Sequence, residues 1–287
     1  MTACDILIVG GGAAGIAAAK TAARSTADVW LVDAGSALGG VLRQCLHKGF
    51  ANGLDGPAYV ESLLTDFPER VRFWPRTTVL AVDAQRRAQL AGPAVGRKTL
   101  RFDQLILATG CYEIPAGALS IAGTRPHGVY TAGQMQEMMN VHGVVPPGPV
   151  VILGSGDLGL IMAQHLADAG LAVTLVEQRT QCGGLARNRG CLAQPAVQLR
   201  LGTTITDILG APALEGVRLS DGAQLPCRTL LIACGLRPER SLVANLSAPD
   251  WLHICGNANK VHAMVEAVVQ EGIEVGARAV QQWRGEE

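Results

Sequence analysis

The chain has 287 residues, enough for two domains of ordinary size. Lys plus Arg and Asp plus Glu both number 24, so the formal net charge is zero. That balance gives no electrostatic reason to expect a nucleic-acid partner or an anionic membrane. The sequence shows no apolar run of the roughly 18 residues that a membrane helix needs, and no basic leader precedes the first strand pattern. We therefore expect a cytoplasmic protein without membrane insertion.

The cysteines, eight in number, are spread along the chain, and no two of them have the spacing C-x-x-C. This pattern argues against a zinc ribbon, an ordinary cysteine-ligated iron–sulfur cluster and a thioredoxin-type dithiol. We predict no metal site. Most of the cysteines are expected to be reduced, buried and small apolar residues.

The first elements form a strand–helix–strand unit. The apolar run Ile6–Val9 is short enough for a buried parallel strand. An alanine-rich helix is predicted from Ala13 to about Arg24, and a second strand, Val29–Val32, ends in Asp33.

Between the first strand and the helix lies G-x-G-x-x-G, with glycines at Gly10, Gly12 and Gly15. Gly10 permits the tight turn, Gly12 lets the backbone approach a pyrophosphate, and Gly15 lets helix and strand pack closely. The phosphates would lie at the helix N-terminus, and Asp33 would accept hydrogen bonds from the ribose. The pattern predicts a dinucleotide-binding unit.

The next hundred residues continue this unit. In a loop over 34–53, the pair Gly39-Gly40 allows the backbone to lie against a flat ligand. We predict a helix over 56–66, a strand over 71–74, an antiparallel meander over 77–82 and 99–102, and a buried strand over 105–108. A loop over 111–126 precedes a helix over 130–141, with Thr131 as a possible N-cap. Met135, Met138 and Met139 share one side of this helix and are interpreted as core.

A breaker, Pro146–Pro149, precedes a second copy of the first unit. A strand over 150–153 leads into a second G-x-G-x-x-G at 154–159, a helix over 160–169, and a strand over 172–176 that ends in Glu177. Short strands are predicted over 198–201, 204–209 and 217–219. The run 230–235 repeats the pattern of 105–110, and a strand over 251–257 precedes a helix over 261–283.

This order of parts resembles the two-dinucleotide-domain flavoproteins of the thioredoxin-reductase and pyridine-nucleotide disulfide oxidoreductase superfamily. The resemblance implies an α/β fold with two Rossmann-like domains, the second inserted in the first, each with a small antiparallel meander. It implies an FAD-binding domain over 1–115 plus 246–287 and an NAD(P)-binding domain over 116–245. An asparagine, Asn257, stands where the superfamily normally has an aspartate after Gly256.

A closer resemblance is carried by the segments 39–50, 110–134, 150–164, 183–188 and 255–268. They are similar to FAD-dependent oxidoreductases associated with homologues of anaerobic glycerol-3-phosphate dehydrogenase. More distantly, they resemble the smaller flavoprotein subunits of opine oxidase, hydrogen cyanide synthase and proline dehydrogenase complexes. This implies electron transfer between NAD(H) and a partner flavoprotein dehydrogenase through FAD, in an oligomeric complex that can include a small cysteine-containing or iron–sulfur protein.

The predicted site residues follow from the fingerprints and from this resemblance. The FAD residues are Gly10, Gly12, Ala13, Ala14, Gly15, Asp33, Ala34, Gly39, Gly40, Arg43, Gln44, Cys45, Thr78, Val79, Ala108, Thr109, Gly110, Gly256, Asn257, His262 and Ala263. The NAD residues are Gly154, Ser155, Gly156, Asp157, Leu158, Gly159, Glu177, Gln178, Cys234 and Gly235. Glu177 favours a ribose 2′-hydroxyl and hence NAD(H), whereas Arg179 could pair with a 2′-phosphate and favour NADP(H).

Three candidate catalytic residues remain. Cys45 and His47 could form a thiolate and its base, as in a stand-alone disulfide-type reductase. We favour packing near FAD, because a single thiol has no neighbour at that spacing for an internal redox disulfide. His262 could tune the flavin or be an ordinary residue at the start of a helix. A non-catalytic nucleotide-binding scaffold within such a complex is the alternative function.

Overall fold

The computed structural model describes residues 2–285, without the side chain of Asn52. The chain divides into two compact units. The first comprises Met1–Tyr112 and Arg237–Glu287, and the second, Glu113–Leu236, is inserted between them. The predicted α/β fold with one nucleotide-binding unit inserted in the other is therefore confirmed.

The elements follow one another in this order. The first unit begins with β1 (Thr2–Val9), α1 (Ala13–Ala22), β2 (Val29–Val32), α2 (Gly56–Leu64), β3 (Arg72–Trp74), β4 (Thr78–Val82), β5 (Arg87–Gly92) and β6 (Gly96–Leu107). Then come β7 (Cys111–Glu113), β8 (Ala122–Gly123), β9 (Val129–Thr131), α3 (Ala132–Asn140), β10 (Val150–Leu153), α4 (Asp157–Asp168), β11 (Val173–Glu177), β12 (Val197–Leu201), β13 (Ile205–Leu209), β14 (Gly216–Leu219), β15 (Gln224–Pro226), β16 (Thr229–Ile232) and β17 (Leu236–Pro238). The chain returns to the first unit with β18 (Leu252–Ile254) and α5 (Val265–Arg284). Single turns of 3₁₀ helix include Gly40–Gln44 and Gly256–Ala258.

The first unit is organised by a parallel sheet. β3, β2, β1 and β6 pair in that order, and β18 pairs with the end of β6. The first half of β6 also pairs antiparallel with β5, and β5 with β4, which is the predicted meander. Because β1 is buried along Ile6–Val9 and β2 along its whole length, these strands are continuous apolar runs.

α1 and α5 pack against each other on one face of this sheet, so closely that their main chains are in contact. A Cβ built on Gly272 would lie 2.4 Å from the carbonyl oxygen of Ala14, and one on Gly276 would lie 2.7 Å from that of Ala18. Glycines four residues apart on α5 therefore let it reach the main chain of α1. Alanines along α1, including Ala14 and Ala18, complete the contact in the buried core.

The second unit repeats the plan. β12, β11, β10, β16 and β9 form a parallel sheet in that order. β13, β14 and β15 form an antiparallel meander, to which β8 adds a short parallel strand. Thr131 caps α3 in a capping box with Gln134, as its position predicted. Met135 is fully buried, and Met138 and Met139 pack against the same core, which confirms their interpretation as core residues.

Three boundaries differ from the sequence predictions. The two short strands predicted over 99–102 and 105–108 are one strand, β6, because it pairs with β5 through its first half and β18 through its second. α5 begins at Val265 instead of 261, because the preceding residues form a turn and a loop. Residues 237–245 lie with the first unit, where the Glu239 N–H donates to Gly110 O at 3.0 Å.

Of the helices in residues 2–285, none combines the length and the apolarity needed to cross a bilayer. Across the same described residues, the His, Cys, Asp and Glu side chains form no group of three or more suited to a metal ion.

Replacing Gly272 by alanine is expected to destabilise the protein by about 2 kcal/mol, because the new methyl group would overlap the main chain of Ala14. The same change at an exposed glycine in the interior of a helix would instead stabilise the protein by about 1 kcal/mol. The free energy of unfolding, measured by urea denaturation, tests this. The control is Ala277→Gly at an exposed position of α5, which should cost about 1 kcal/mol. A stabilising Gly272→Ala change would contradict the close packing of the two helices.

Candidate dinucleotide sites

The parallel register of the first unit brings four predicted residues to one edge of the sheet. Val9 pairs with both Val32 and Leu107, and Leu107 also pairs with Ile254. The residues that follow these strands therefore lie side by side. They include Gly10, Asp33, Ala108 and Gly256. In open parallel sheets this carboxyl edge is where nucleotides bind.

At two positions of the first fingerprint, the neighbouring backbone leaves no room for any residue but glycine. Gly10 has φ +106°, and a Cβ built on it would lie 2.3 Å from Ala108 O. A Cβ on Gly15 would lie 1.8 Å from Gly10 O. Both residues therefore hold α1 against the strand ends, as the spacing predicted.

Gly12 is different, because a Cβ built on it meets no atom within 4 Å. It is the N-cap of α1, and no side chain caps that helix end. The first helical N–H groups, including those of Ala13 and Ala14, therefore have no capping side chain. An uncapped helix N-terminus with open space at its N-cap glycine fits a pyrophosphate in charge and in room.

Asp33 lies beside this helix end. Its carboxylate accepts from Gly11 N at 2.5 Å and from Gly35 N at 2.6 Å, one bond on each oxygen. A carboxylate offers about four acceptor positions, so two remain for ribose hydroxyls. Ala34 follows on the surface.

The Gly39-Gly40 loop folds back onto the fingerprint. Gly39 N donates to Gly11 O at 2.8 Å, and a Cβ on Gly40 would lie 3.2 Å from Gly12 Cα. Arg43 is tied to the same loop by its hydrogen bond to Leu38 O, and Gln44 ends the 3₁₀ turn. The structure therefore brings the predicted glycine pair next to the helix N-terminus.

Other predicted FAD residues surround these. Thr78 and Val79 begin β4, directly after Thr77, whose N–H donates to Asp33 O at 2.9 Å. Thr109 donates its hydroxyl to Glu239 O at 2.6 Å, and Gly110 has φ +76° with open space around it.

The surroundings of Cys45 favour packing over a role as a nucleophile. Its side chain is buried, its Sγ donates to Val41 O at 3.3 Å, and burial raises the pKa of the thiol to about 12. The nucleophile would have to be a thiolate, which this environment disfavours at neutral pH. His47 stacks near Phe50, with ring centroids 5.0 Å apart.

The segment after β18 is held by two residues outside it, Glu271 and Arg240, that the sequence did not single out. Gly256 N donates to Glu271 at 2.9 Å, and the imidazole of His262 lies 2.7 Å from the same carboxylate. Asn257 Oδ1 accepts from His262 N at 3.0 Å, and Ala263 is exposed. Arg240 binds the segment from another side through Ala258 O at 2.6 Å. In the sequence, the feature that could have drawn attention to Glu271 is the neighbouring Gly272, at which α5 approaches α1.

The second unit reproduces the geometry of the first fingerprint. Gly154 has φ +106°, with a built Cβ 2.4 Å from Ala233 O, and a Cβ on Gly159 would lie 2.3 Å from Gly154 O. Gly156 is again the uncapped N-cap of the helix and again has no atom within 4 Å of a built Cβ. Asp157 and Leu158 start α4.

Glu177 occupies the position of Asp33 but is more fully engaged. It accepts from both the N–H and the hydroxyl of Ser155, at 3.0 and 2.7 Å, and from both Nε and the N–H of Arg179, at 3.2 and 3.0 Å. Burial by itself would raise the pKa of Glu177, but the bonds from Arg179 and Ser155 outweigh it and lower the pKa to about 2. The acid is therefore ionised, and Gln178 beside it is exposed.

The remaining residues of the second site lie at neighbouring strand ends. Cys234 is half-buried, its Sγ donates to Leu153 O at 3.5 Å, and burial raises its pKa to about 11. Gly235 has φ +118°. Cys191 is buried in the core, against which Cys182 packs.

The repeat is longer than the fingerprints alone indicated. Residues 10–43 correspond without a gap to residues 154–187, each 144 positions later, which aligns Gly39-Gly40 and Arg43 with Gly183-Gly184 and Arg187. In the second copy, Gly183 N donates to Ser155 Oγ at 2.8 Å and Leu185 N to Asp157 at 2.7 Å. Both units therefore fold a glycine-pair loop over the start of the helix that follows the fingerprint, α1 or α4.

Comparison with known proteins agrees with this architecture. The chain is 32% identical over 272 residues to the alpha subunit of sarcosine oxidase from Rhizobium meliloti (strain 1021), covering 86% of this chain and 26% of the relative. It is 28% identical over 271 residues to one opine oxidase subunit from Agrobacterium tumefaciens (strain Ach5), covering 83% of this chain and 53% of the relative. The chain thus spans about half or less of the length of these curated relatives.

Among solved structures, thioredoxin reductase of T. acidophilum superposes with a TM-score of 0.78 at 16% identity, covering 98% of this chain and 99% of the other. At that identity the likeness shows the fold. The sequence pattern of the family described as pyridine nucleotide-disulphide oxidoreductase matches residues 4–250. The resemblance inferred from the sequence is confirmed: this chain is an oxidoreductase that belongs to the pyridine nucleotide-disulphide oxidoreductase family.

Proposed function

We propose that this chain binds FAD in its first unit and NAD(H) in its second, and passes electrons between NAD(H) and a partner flavoprotein dehydrogenase. The observation that carries this proposal is the duplicated site. Each unit has an uncapped helix N-terminus behind an open glycine, Gly12 or Gly156, with an acid at the end of the adjacent strand. A bound flavin supplies the hydride and one-electron chemistry that side chains cannot.

The chain's own residues would bind and orient the two ligands. The N–H groups at the start of α1 and α4 would hold the pyrophosphates, and Asp33 would accept from the FAD ribose through its two free acceptor positions. The glycine-pair loops would cover the ligands from the opposite side.

NAD(H) is favoured over NADP(H) because of the charge at the end of β11. Glu177 is ionised, and its negative charge would repel a 2′-phosphate. The Nε of Arg179 is paired with Glu177 at 3.2 Å, which partly neutralises the cation that could otherwise favour the phosphate.

The involvement of a second protein is supported by two observations. Both curated relatives described above are named as subunits of oxidases, and this chain spans only part of their length. Within the chain, the buried, protonated Cys45 gives no redox thiol at the position where disulfide reductases place one. The electron acceptor or donor beyond FAD is therefore proposed to lie on another protein, with a small cysteine-containing or iron–sulfur protein as a further component.

The FAD assignment predicts a contrast between two glycines. Gly12→Ala should leave the fold intact but weaken FAD binding at least tenfold, because its methyl group projects into the proposed pyrophosphate space. Gly15→Ala should instead prevent proper folding, because its Cβ overlaps Gly10 O. FAD titration and thermal unfolding of the FAD-free protein distinguish the two effects. Unchanged FAD affinity in Gly12→Ala would contradict the assignment.

The electron-transfer proposal predicts that NADH bleaches the absorbance of bound FAD in the absence of oxygen. Gly156→Ala should retain FAD but slow this reduction at least tenfold at low NADH concentration. The added methyl group would occupy only the space proposed for the NADH pyrophosphate, at the start of α4. Stopped-flow absorbance measures both. Wild-type protein that holds FAD but is not reduced by NADH or NADPH would support the scaffold alternative instead.

The preference for NAD(H) predicts a shift on removing the charge of Glu177. Glu177→Gln keeps an acceptor for Ser155 and should move the ratio of NADPH to NADH affinity about tenfold towards NADPH, a change of about 1.4 kcal/mol. Arg179→Ala removes the competing cation and should move the same ratio towards NADH. An unaltered ratio in Glu177→Gln would show that this carboxylate does not read the 2′ position.

A further inference from the structure

A carboxylate on α5 holds the segment that follows β18. Glu271 lies in the interior of this helix, between its ends at Val265 and Arg284. One oxygen accepts from Gly256 N at 2.9 Å and lies 2.7 Å from Nε2 of His262, and the other accepts from Asn259 Nδ2 at 2.5 Å. One side chain thus contacts three residues spread over seven positions of a loop.

The carboxylate is ionised and only partly exposed, with a side-chain exposure of 19%. Burial would raise the pKa of Glu271, but hydrogen bonds from Asn259 and His262 lower it below its ordinary value. Bonds to a charged acceptor are shorter and about twice as strong as neutral ones. The hydrogen bonds from the loop to Glu271 are therefore stronger than the backbone–backbone hydrogen bonds within the loop.

A second charged side chain holds the same loop. Arg240 donates through Nε to Ala258 O at 2.6 Å and through Nη2 to Asn259, including Asn259 Oδ1 at 3.1 Å. Asn259 therefore lies between a cation and an anion. This arrangement fixes the loop on both sides without a regular secondary structure beyond the turn Gly256–Ala258.

The loop 256–262 lies beside the N-terminus of α1, where FAD is proposed to bind. Gly256 follows β18 at the carboxyl edge of the sheet, and a Cβ built on it would lie 2.7 Å from Cβ of Ala14, in the first turn of α1. A small displacement of the loop would therefore change the space in front of the helix N-terminus. Glu271 acts on that space through Gly256 and His262.

We propose that Glu271 is a positioning residue for the flavin, which orients His262 and holds Gly256 against α1. The proposal rests on the assignment of FAD to the first unit. Because Nε2 of His262 is committed to Glu271, the ring is held in one orientation and only Nδ1 remains for another partner.

The test measures FAD binding and the spectrum of the bound flavin in three variants. Glu271→Ala removes all three contacts and should weaken FAD binding at least tenfold. At saturating FAD it should also alter the visible circular dichroism of the flavin, which reports its surroundings. Glu271→Gln keeps one accepting oxygen but not the charge, and should recover the affinity and the spectrum in part. The matched control is Glu274→Ala, an exposed carboxylate one turn further along α5 that bonds to Gln270.

The outcomes separate the two proposals. If wild-type protein binds no FAD, the proposed function itself fails. If wild-type protein binds FAD and Glu271→Ala matches Glu274→Ala in affinity and spectrum, only the positioning role is overturned. If Glu271→Ala does not fold, Glu271→Gln decides: weaker FAD binding with an altered flavin spectrum supports the positioning role, whereas wild-type affinity with a wild-type spectrum overturns it.

Discussion

The structure depends on the close approach of main chains at positions where no side chain fits. Gly15 lies against Gly10, Gly10 against Ala108, and Gly272 against Ala14, each closer than a Cβ would allow. These contacts draw α1, β1, β6 and α5 together at one edge of the sheet. The N-terminus of α1 therefore lies where the strands end, and the space proposed for the pyrophosphate is a consequence of the packing.

The second unit uses the same constraint with different side chains. Gly10 and Gly154 have the same φ, and Gly12 and Gly156 leave the same open space. Where Asp33 accepts two protein hydrogen bonds, Glu177 accepts four, because Ser155 stands in place of Gly11 and Arg179 in place of Gly35, and each adds a side-chain donor. The two units therefore share a backbone arrangement but differ in how much of the acid remains for a ligand. Ser155 or Arg179 has to release one of these bonds if Glu177 is to accept from a ribose.

The loop after β18 shows how a departure in sequence is accommodated. The side chain of Asn257 is bonded to the backbone of its own loop, at His262 N, and Glu271 and Arg240 hold the same loop from outside. Order in this segment thus comes from charged side chains on α5 and on the chain before β18. The first unit consequently relies on its last helix both for packing against α1 and for the shape of its cradle.

The sequence by itself determined the two fingerprints and the acids 23 residues after each first glycine, because glycine spacing and apolar periodicity are local properties. The family and the inserted second unit followed from the resemblance of these parts, in this order, to known proteins. Only the tertiary structure decided that residues 237–245 belong to the first unit, and that Glu271 and Arg240 hold the loop at 256–262. It also showed that both glycine-pair loops bond to the fingerprint of their own unit. Each of these depends on which distant residues meet, and hydrogen bonds between residues far apart in the chain leave no periodic trace in the sequence.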